Sequence, residues 1–200
     1  MTRFPITNVV GDLVDQHRDP DEKLYASLEL NQVAFPKTGM VVSQTPLGTA
    51  FTKAAPCENG MWVVADKAAG AINAPAAATD SPIGIVYTTE KEYDREHYGL
   101  QRFGRKIAGD YPRVGIFSLG DTVTTNCLQY DESTYATFAA LETALNAIGT
   151  TPMYVVPVAG SAVPQLTATK PQSGTYAKVV KYYTIPNGGK GVKYQIVSLG

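Results

Sequence analysis

Asn59-Gly60-Met61-Trp62-Val63-Val64, Pro82-Ile83-Gly84-Ile85-Val86-Tyr87, Tyr111-Pro112-Arg113-Val114-Gly115-Ile116-Phe117 and Gly120-Asp121-Thr122-Val123-Thr124-Thr125-Asn126 punctuate the middle of the chain. Each is a short run of apolar and β-branched residues bounded by Gly, Pro, Asn or Asp, the pattern of a strand and its turns. The runs at Val114–Ser118 and Thr122–Thr125 read as a hairpin joined through Leu119-Gly120-Asp121. Between them and the first runs, Ala68 to Asp80 is almost entirely Ala, Gly, Pro, Asn and Thr. That stretch lacks helical periodicity and reads as an irregular surface loop.

The C-terminal third continues the β grammar. Met153–Val158 and Val163–Thr169 flank Ala159-Gly160-Ser161 as one hairpin. Tyr176–Ile185 and Val192–Leu199 form a second around Pro186-Asn187-Gly188-Gly189-Lys190-Gly191, where Asn-Gly supplies the positive φ of a tight turn. Strict alternation puts Val179, Lys181 and Tyr183 on one face and Val180, Tyr182 and Thr184 on the other.

One helix interrupts the strands. The spacing of Phe138, Leu141, Leu145 and Ile148 predicts a helix over about 131–148, with Asp131 as N-cap and Gly149 as the residue that ends it. Its apolar stripe is expected to lie across one end of the strands. The fold class is therefore mainly β, a β-barrel or β-sandwich carrying one helix.

Residues 1 to about 45 read differently. Asp12, Asp15, His17, Arg18, Asp19, Asp21, Glu22 and Lys23 form a charge-mixed stretch around Pro20. Tyr25 to Leu30 alternates weakly, with Leu24, Ala26, Leu28 and Leu30 on one side, and Val33-Ala34-Phe35 stops at Pro36. Two readings stand side by side: an extended N-terminal arm over 1–45 that contacts something outside a domain at 46–200, or the first strands of that domain.

Composition narrows the class. The chain has 200 residues, enough for one domain of ordinary size that needs no metal or disulfide to fold. Its net charge of −1 argues against a protein built mainly to hold nucleic acid by counterion release. Charged residues make up 18%, below the about 25% typical of soluble domains, with Thr, Ser, Gly, Pro, Ala and Tyr in their place. The N-terminus shows no signal-peptide pattern and no run approaches a membrane span, so folding in the cytosol is expected. Cys57 and Cys127 are far apart and are expected to be reduced structural thiols.

No reactive constellation emerges. Gly160-Ser161-Ala162-Val163 lacks the second Gly of a nucleophile elbow, and only His17 and His97 are available as imidazole bases. Two isolated His and two isolated Cys do not have zinc-site spacing. Gly188-Gly189-Lys190-Gly191 lacks the Ser or Thr that follows the lysine of a phosphate loop. The Asp-rich stretch before Lys23 lacks the Gly spacing of an EF-hand. No catalytic residue, metal or cofactor is expected. Arg95 to Lys106 interleaves Arg with aromatics, reads as the one basic patch, and suits a protein contact better than nucleic acid.

The four opening motifs, with Tyr183-Thr184-Ile185-Pro186-Asn187-Gly188 and Lys193 near the end, resemble the head decoration (cement) proteins of tailed bacteriophages. The resemblance covers about 57–200 through short motifs. It implies a β-rich structural protein, made in the host cytoplasm, that binds the major capsid protein on the outside of a virion and stabilises the shell. It carries no catalytic residues over. A trimer would suit the threefold junctions where such proteins sit, although no residue fixes that symmetry. The contact residues expected are Arg3, Phe4, Tyr25 and Phe35 in the arm, and Arg95, Tyr98, Arg102, Phe103 and Arg105 in the basic segment. A tail, neck or fibre component of a virion and a nucleic-acid-binding β-barrel using residues 95–106 are the alternatives.

Overall fold

The computed structural model describes residues 1–4, 41–42, 44–65, 69–87, 105–184 and 189–200. Among these residues the fold is mainly β, as the sequence predicts, with a curled seven-stranded half-barrel sheet and a single helix. The strands are β1 (Thr2–Arg3), β2 (Val41–Val42), β3 (Cys57–Glu58), β4 (Trp62–Val64), β5 (Ile83–Val86), β6 (Arg105–Lys106) and β7 (Val114–Ile116). They continue as β8 (Thr122–Thr125), β9 (Gln129–Tyr130), β10 (Tyr154–Val158), β11 (Ser161–Thr167), β12 (Tyr176–Thr184) and β13 (Lys190–Ser198). The helix, α1, spans Phe138–Asn146.

The large sheet runs β1-β9-β11-β10-β12-β13-β8 and a second sheet runs β2-β7-β5-β4. Its strands β4, β5 and β7 are buried on both faces, and the register shows why. Trp62 pairs with Ile85 and Val64 with Ile83, placing Trp62, Ile83 and Ile85 in one apolar cluster with Phe117 and the large sheet. Val63 pairs with Gly84, and Gly84 with Ile116. Val63, Val86, Val114 and Ile116 thus face a second cluster with Leu47, Phe51, Ile72 and Cys127. A strand wanted on both faces has no polar alternation, hence the continuous apolar runs of the opening motifs. Gly84 is required at the crowded centre: a Cβ there would stand 2.6 Å from Val114 Cγ1 and 2.7 Å from the Gly115 carbonyl oxygen.

The expected hairpin between β7 and β8 does not form. β7 pairs with β2 and β5, whereas β8 pairs with β13. The turn between them is a corner that sends the chain from one sheet to the other. Buried Asp121 holds it, accepting from the Ser118 backbone N–H at 2.7 Å. Gly120 takes φ 93°, which favours glycine. The corner is stitched to β13 by Gly120 N–H to the Ile196 carbonyl at 2.9 Å and Ile196 N–H to the Asp121 carbonyl at 2.8 Å. Those bonds direct the strand toward β13 and away from β7.

The helix is shorter than its predicted span. It starts at Phe138 with Thr137 as N-cap, whose hydroxyl accepts from the Ala140 N–H at 3.3 Å. Asp131 is committed to its own turn, with Oδ1 accepting from the Ser133 N–H at 3.0 Å and its carbonyl from the Tyr135 N–H at 2.9 Å. Ser133 holds the Asp131 carboxyl below its usual pKa. The helix ends at a cap on Ala147, and Gly149 takes no positive φ. The stripe itself packs as expected. Leu141 and Leu145 are fully buried, with Phe138 and Ile148 packed against the same cluster, and each buried Leu contributes about 1.5–3 kcal/mol.

Both described ends of the 1–45 segment are woven into the body. β1 pairs with β9 (Thr2 opposite Tyr130, Arg3 opposite Gln129) and β2 pairs with β7. These residues behave as strands of the domain. Residues 5–40, where the rest of the arm reading falls, lie outside the described residues.

The β10–β11 and β12–β13 hairpins form, the former closing with Val158 opposite Ser161. The Asn187-Gly188 turn lies outside the described residues.

Candidate contact surface

The long β12–β13 ribbon shows one face to the core and one outward. Ala177, Val179, Val192, Tyr194 and Ile196 are buried. Two irregularities in the pairing, between Val179 and Lys181 and between Tyr176 and Ala177, leave Val180 and Val197 as extra residues of their strands. A bulge of this kind breaks the alternation and re-aims the following side chains. Lys181 and Tyr183 consequently leave the face of Val179, where strict alternation had put them. Val180 is 54% exposed and Val197 41%.

The outward face is cationic. Lys178 pairs with Gln195, and Lys181 stands opposite Lys193. Lys181 Nζ lies 5.1 Å from the centroid of the Tyr183 ring, whose hydroxyl donates to Thr124 Oγ1 at 3.0 Å. Near the ribbon's end, the Tyr182 hydroxyl donates to Glu142 Oε1 at 2.6 Å on the helix, and Lys190 Nζ sits 5.7 Å over the Tyr182 ring. Burial and the Glu142 carboxylate push the Tyr182 hydroxyl to a raised pKa. The reading of residues 95–106 as the one basic patch missed this ribbon. The signal was present in composition, because every charged residue after Glu142 is a lysine. The bulge at Val180 that brings Lys181 to the side of Lys178 and Lys193 is not visible in the sequence.

The expected contact residues fall in different places. Phe4 is a core residue, 2% exposed, with its ring edge-on to Phe138 at 5.2 Å. It anchors the chain's own N-terminus and offers no side-chain surface to a partner. Arg3 donates through Nη2 to Glu58 Oε2 at 3.1 Å, and the same nitrogen lies 3.7 Å from Cys127 Sγ. Thr2 adds a hydrogen bond to Glu132. Arg105 belongs to β6, whose backbone pairs with Glu58 on β3. Tyr25, Phe35, Arg95, Tyr98, Arg102 and Phe103 lie outside the described residues.

Beside the Arg3–Glu58 pair a cleft of about 340 Å³ opens between Phe51, Met61, Ser161 and Val163. Its two charged side chains hold each other, and the rest of its wall is largely apolar. The thiols below it are inert: burial pushes Cys127 up to about 12 against the opposing pull of Arg3, and burial raises Cys57 further. Both are buried and free, and both remain protonated at neutral pH.

Among the described residues no three His, Cys, Asp or Glu side chains gather closely enough to hold a metal ion. Among the same residues no helix is long and apolar enough to cross a membrane. His17 and His97 lie outside the described residues. Comparison with protein-family models, with curated proteins and with solved structures gives no match to this chain.

Proposed function

We propose that the protein is a structural contact subunit that binds the outer surface of a bacteriophage capsid and stabilises the shell, as the resemblance to head decoration proteins implies. The observation that carries the reading is the outward face of β12–β13. There the β12–β13 pair of the large sheet, backed by the core, holds two exposed valines among lysines. Apolar residues set within a polar rim are the layout of a protein interface. The motifs behind the resemblance support the same reading. Trp62, Ile85 and Val123 lie in the core that backs the ribbon and Val114 in the second core, so these runs serve as scaffold and leave the contact chemistry to the surface.

Stabilisation follows from mass action. A subunit that binds only the assembled shell favours it by its binding free energy, and many copies on one particle multiply that term. The major capsid protein is the proposed partner, and the virion exterior the proposed location.

The test is immunogold labelling, with antibody to this protein, of intact virus particles purified from the source culture. Dense label over the head is expected. Label confined to a tail or neck, or absent from particles that contain the rest of the virion proteins, overturns the reading.

A further inference from the structure

The near-neutral total charge hides two regions of opposite sign. No Asp or Glu follows Glu142, whereas Lys170, Lys178, Lys181, Lys190 and Lys193 do. Pairing then concentrates this charge. Lys181 and Lys193 are directly opposite each other across the ribbon. Lys178 follows on the same outward face, and the bulge residues Val180 and Val197 flank it with apolar surface.

We propose that this face docks on a carboxylate-rich protein surface. Lys178, Lys181 and Lys193 meet Asp and Glu side chains there, and Val180 and Val197 seat in apolar spots between them. The inference deepens the contact reading above and rests on it, by naming the face and the chemistry of the shell surface that it fits. Opposite charge across the interface would steer the encounter.

Two features separate this partner from a nucleic acid. Single-strand sites stack bases on open aromatic faces, but here Lys181 covers the Tyr183 ring and Lys190 the Tyr182 ring, with both hydroxyls tied to the protein. Exposed valines also gain little against a phosphate backbone. A second copy docked by a two-fold axis on the same face would set lysine against lysine.

The experiment measures binding of the intact chain to immobilised poly-L-glutamate at two salt concentrations. Lys178→Glu with Lys181→Glu is the main variant. It puts an opposite charge across from Lys193, so its unfolding midpoint is expected at or above that of the wild type. Binding is expected to weaken with salt, to fall at least tenfold in this double variant, and to fall severalfold in V180S/V197S. K170E, which lies off the ribbon, is expected to bind as the wild type does. Undiminished poly-L-glutamate binding by the double variant overturns the proposal, as does tighter binding of the wild type to single-stranded oligodeoxythymidine. Self-association in sedimentation velocity that the double variant abolishes would make a second copy the occupant, and also overturns it. Attachment of the double variant to capsids as strong as the wild type's removes this face from the shell contact while leaving the decoration reading intact. Binding of the wild type to poly-L-glutamate without attachment to any capsid upholds the face and removes the decoration reading.

Discussion

Trp62 donates from Nε1 to the hydroxyl of Tyr194 at 2.8 Å, and both side chains are wholly buried. One belongs to the edge of the four-stranded sheet and the other to the middle of the long ribbon, so this bond joins the two sheets. The rings meet edge-on at 5.7 Å, and Phe117 meets Trp62 at 5.0 Å from the corner. The inner face of the β12–β13 ribbon is thereby tied to the second sheet. Tyr194→Phe leaves the buried indole N–H without its partner and should cost about 1–3 kcal/mol in urea unfolding. Trp62→Phe in the Tyr194→Phe background should cost less than the same change in the wild type, because the bond is already gone.

The same pair predicts a pH dependence. Burial raises the Tyr194 pKa well above its ordinary value, outweighing the Trp62 hydrogen bond. A raised folded pKa means that the contribution is complete below the unfolded value of about 10 and is lost as pH rises beyond it. Stability should fall above about pH 10 by roughly 1.4 kcal/mol per pH unit from this residue. Tyr194→Phe should show a shallower alkaline slope. Equal slopes in the two proteins would contradict the assignment.

Phe4 distinguishes an anchored N-terminus from a contact arm. Phe4→Ala removes a buried ring packed on the helix and should cost about 3–5 kcal/mol in equilibrium unfolding. A contact residue would leave stability unchanged and weaken attachment instead.

Gly84 has no space for a side chain. Gly84→Ala forces Val114 and the Gly115 backbone apart in a sheet packed on both faces, and should cost about 1–3 kcal/mol. A neutral result would mean that the two apolar clusters yield more readily than their packing suggests.

The cysteines should be silent in the native state. A thiol-selective chromogenic reagent at pH 8 should modify neither Cys57 nor Cys127 until denaturant is added, and then both. Rapid reaction of either in the native protein would contradict their burial and raised pKa.

Fold class was legible because local and tertiary demands agree in the runs around Trp62, Ile85 and Val114. A strand buried on both faces needs uninterrupted apolar residues, and these runs supply them. The Leu141 and Leu145 stripe was legible for the same reason. Features decided by a single competing hydrogen bond were not. Asp131 looks like a helix cap but spends its carboxylate on Ser133, so the helix waits for Thr137. Asp121 and Gly120 look like a hairpin turn, but their bonds go to Ile196 and carry the chain to the other sheet. The cationic face was hidden for a third reason. Its lysines are spread over 16 positions from Lys178 to Lys193, and only bulged pairing brings them together.

The most direct measurement is cryo-electron microscopy of the intact virus particle purified from the source culture. Many copies are expected on the outside of the head, with the Lys178, Lys181 and Lys193 face of the β12–β13 ribbon against acidic surface of the shell. A head without this protein, or copies bound with that ribbon turned to solvent, would contradict it.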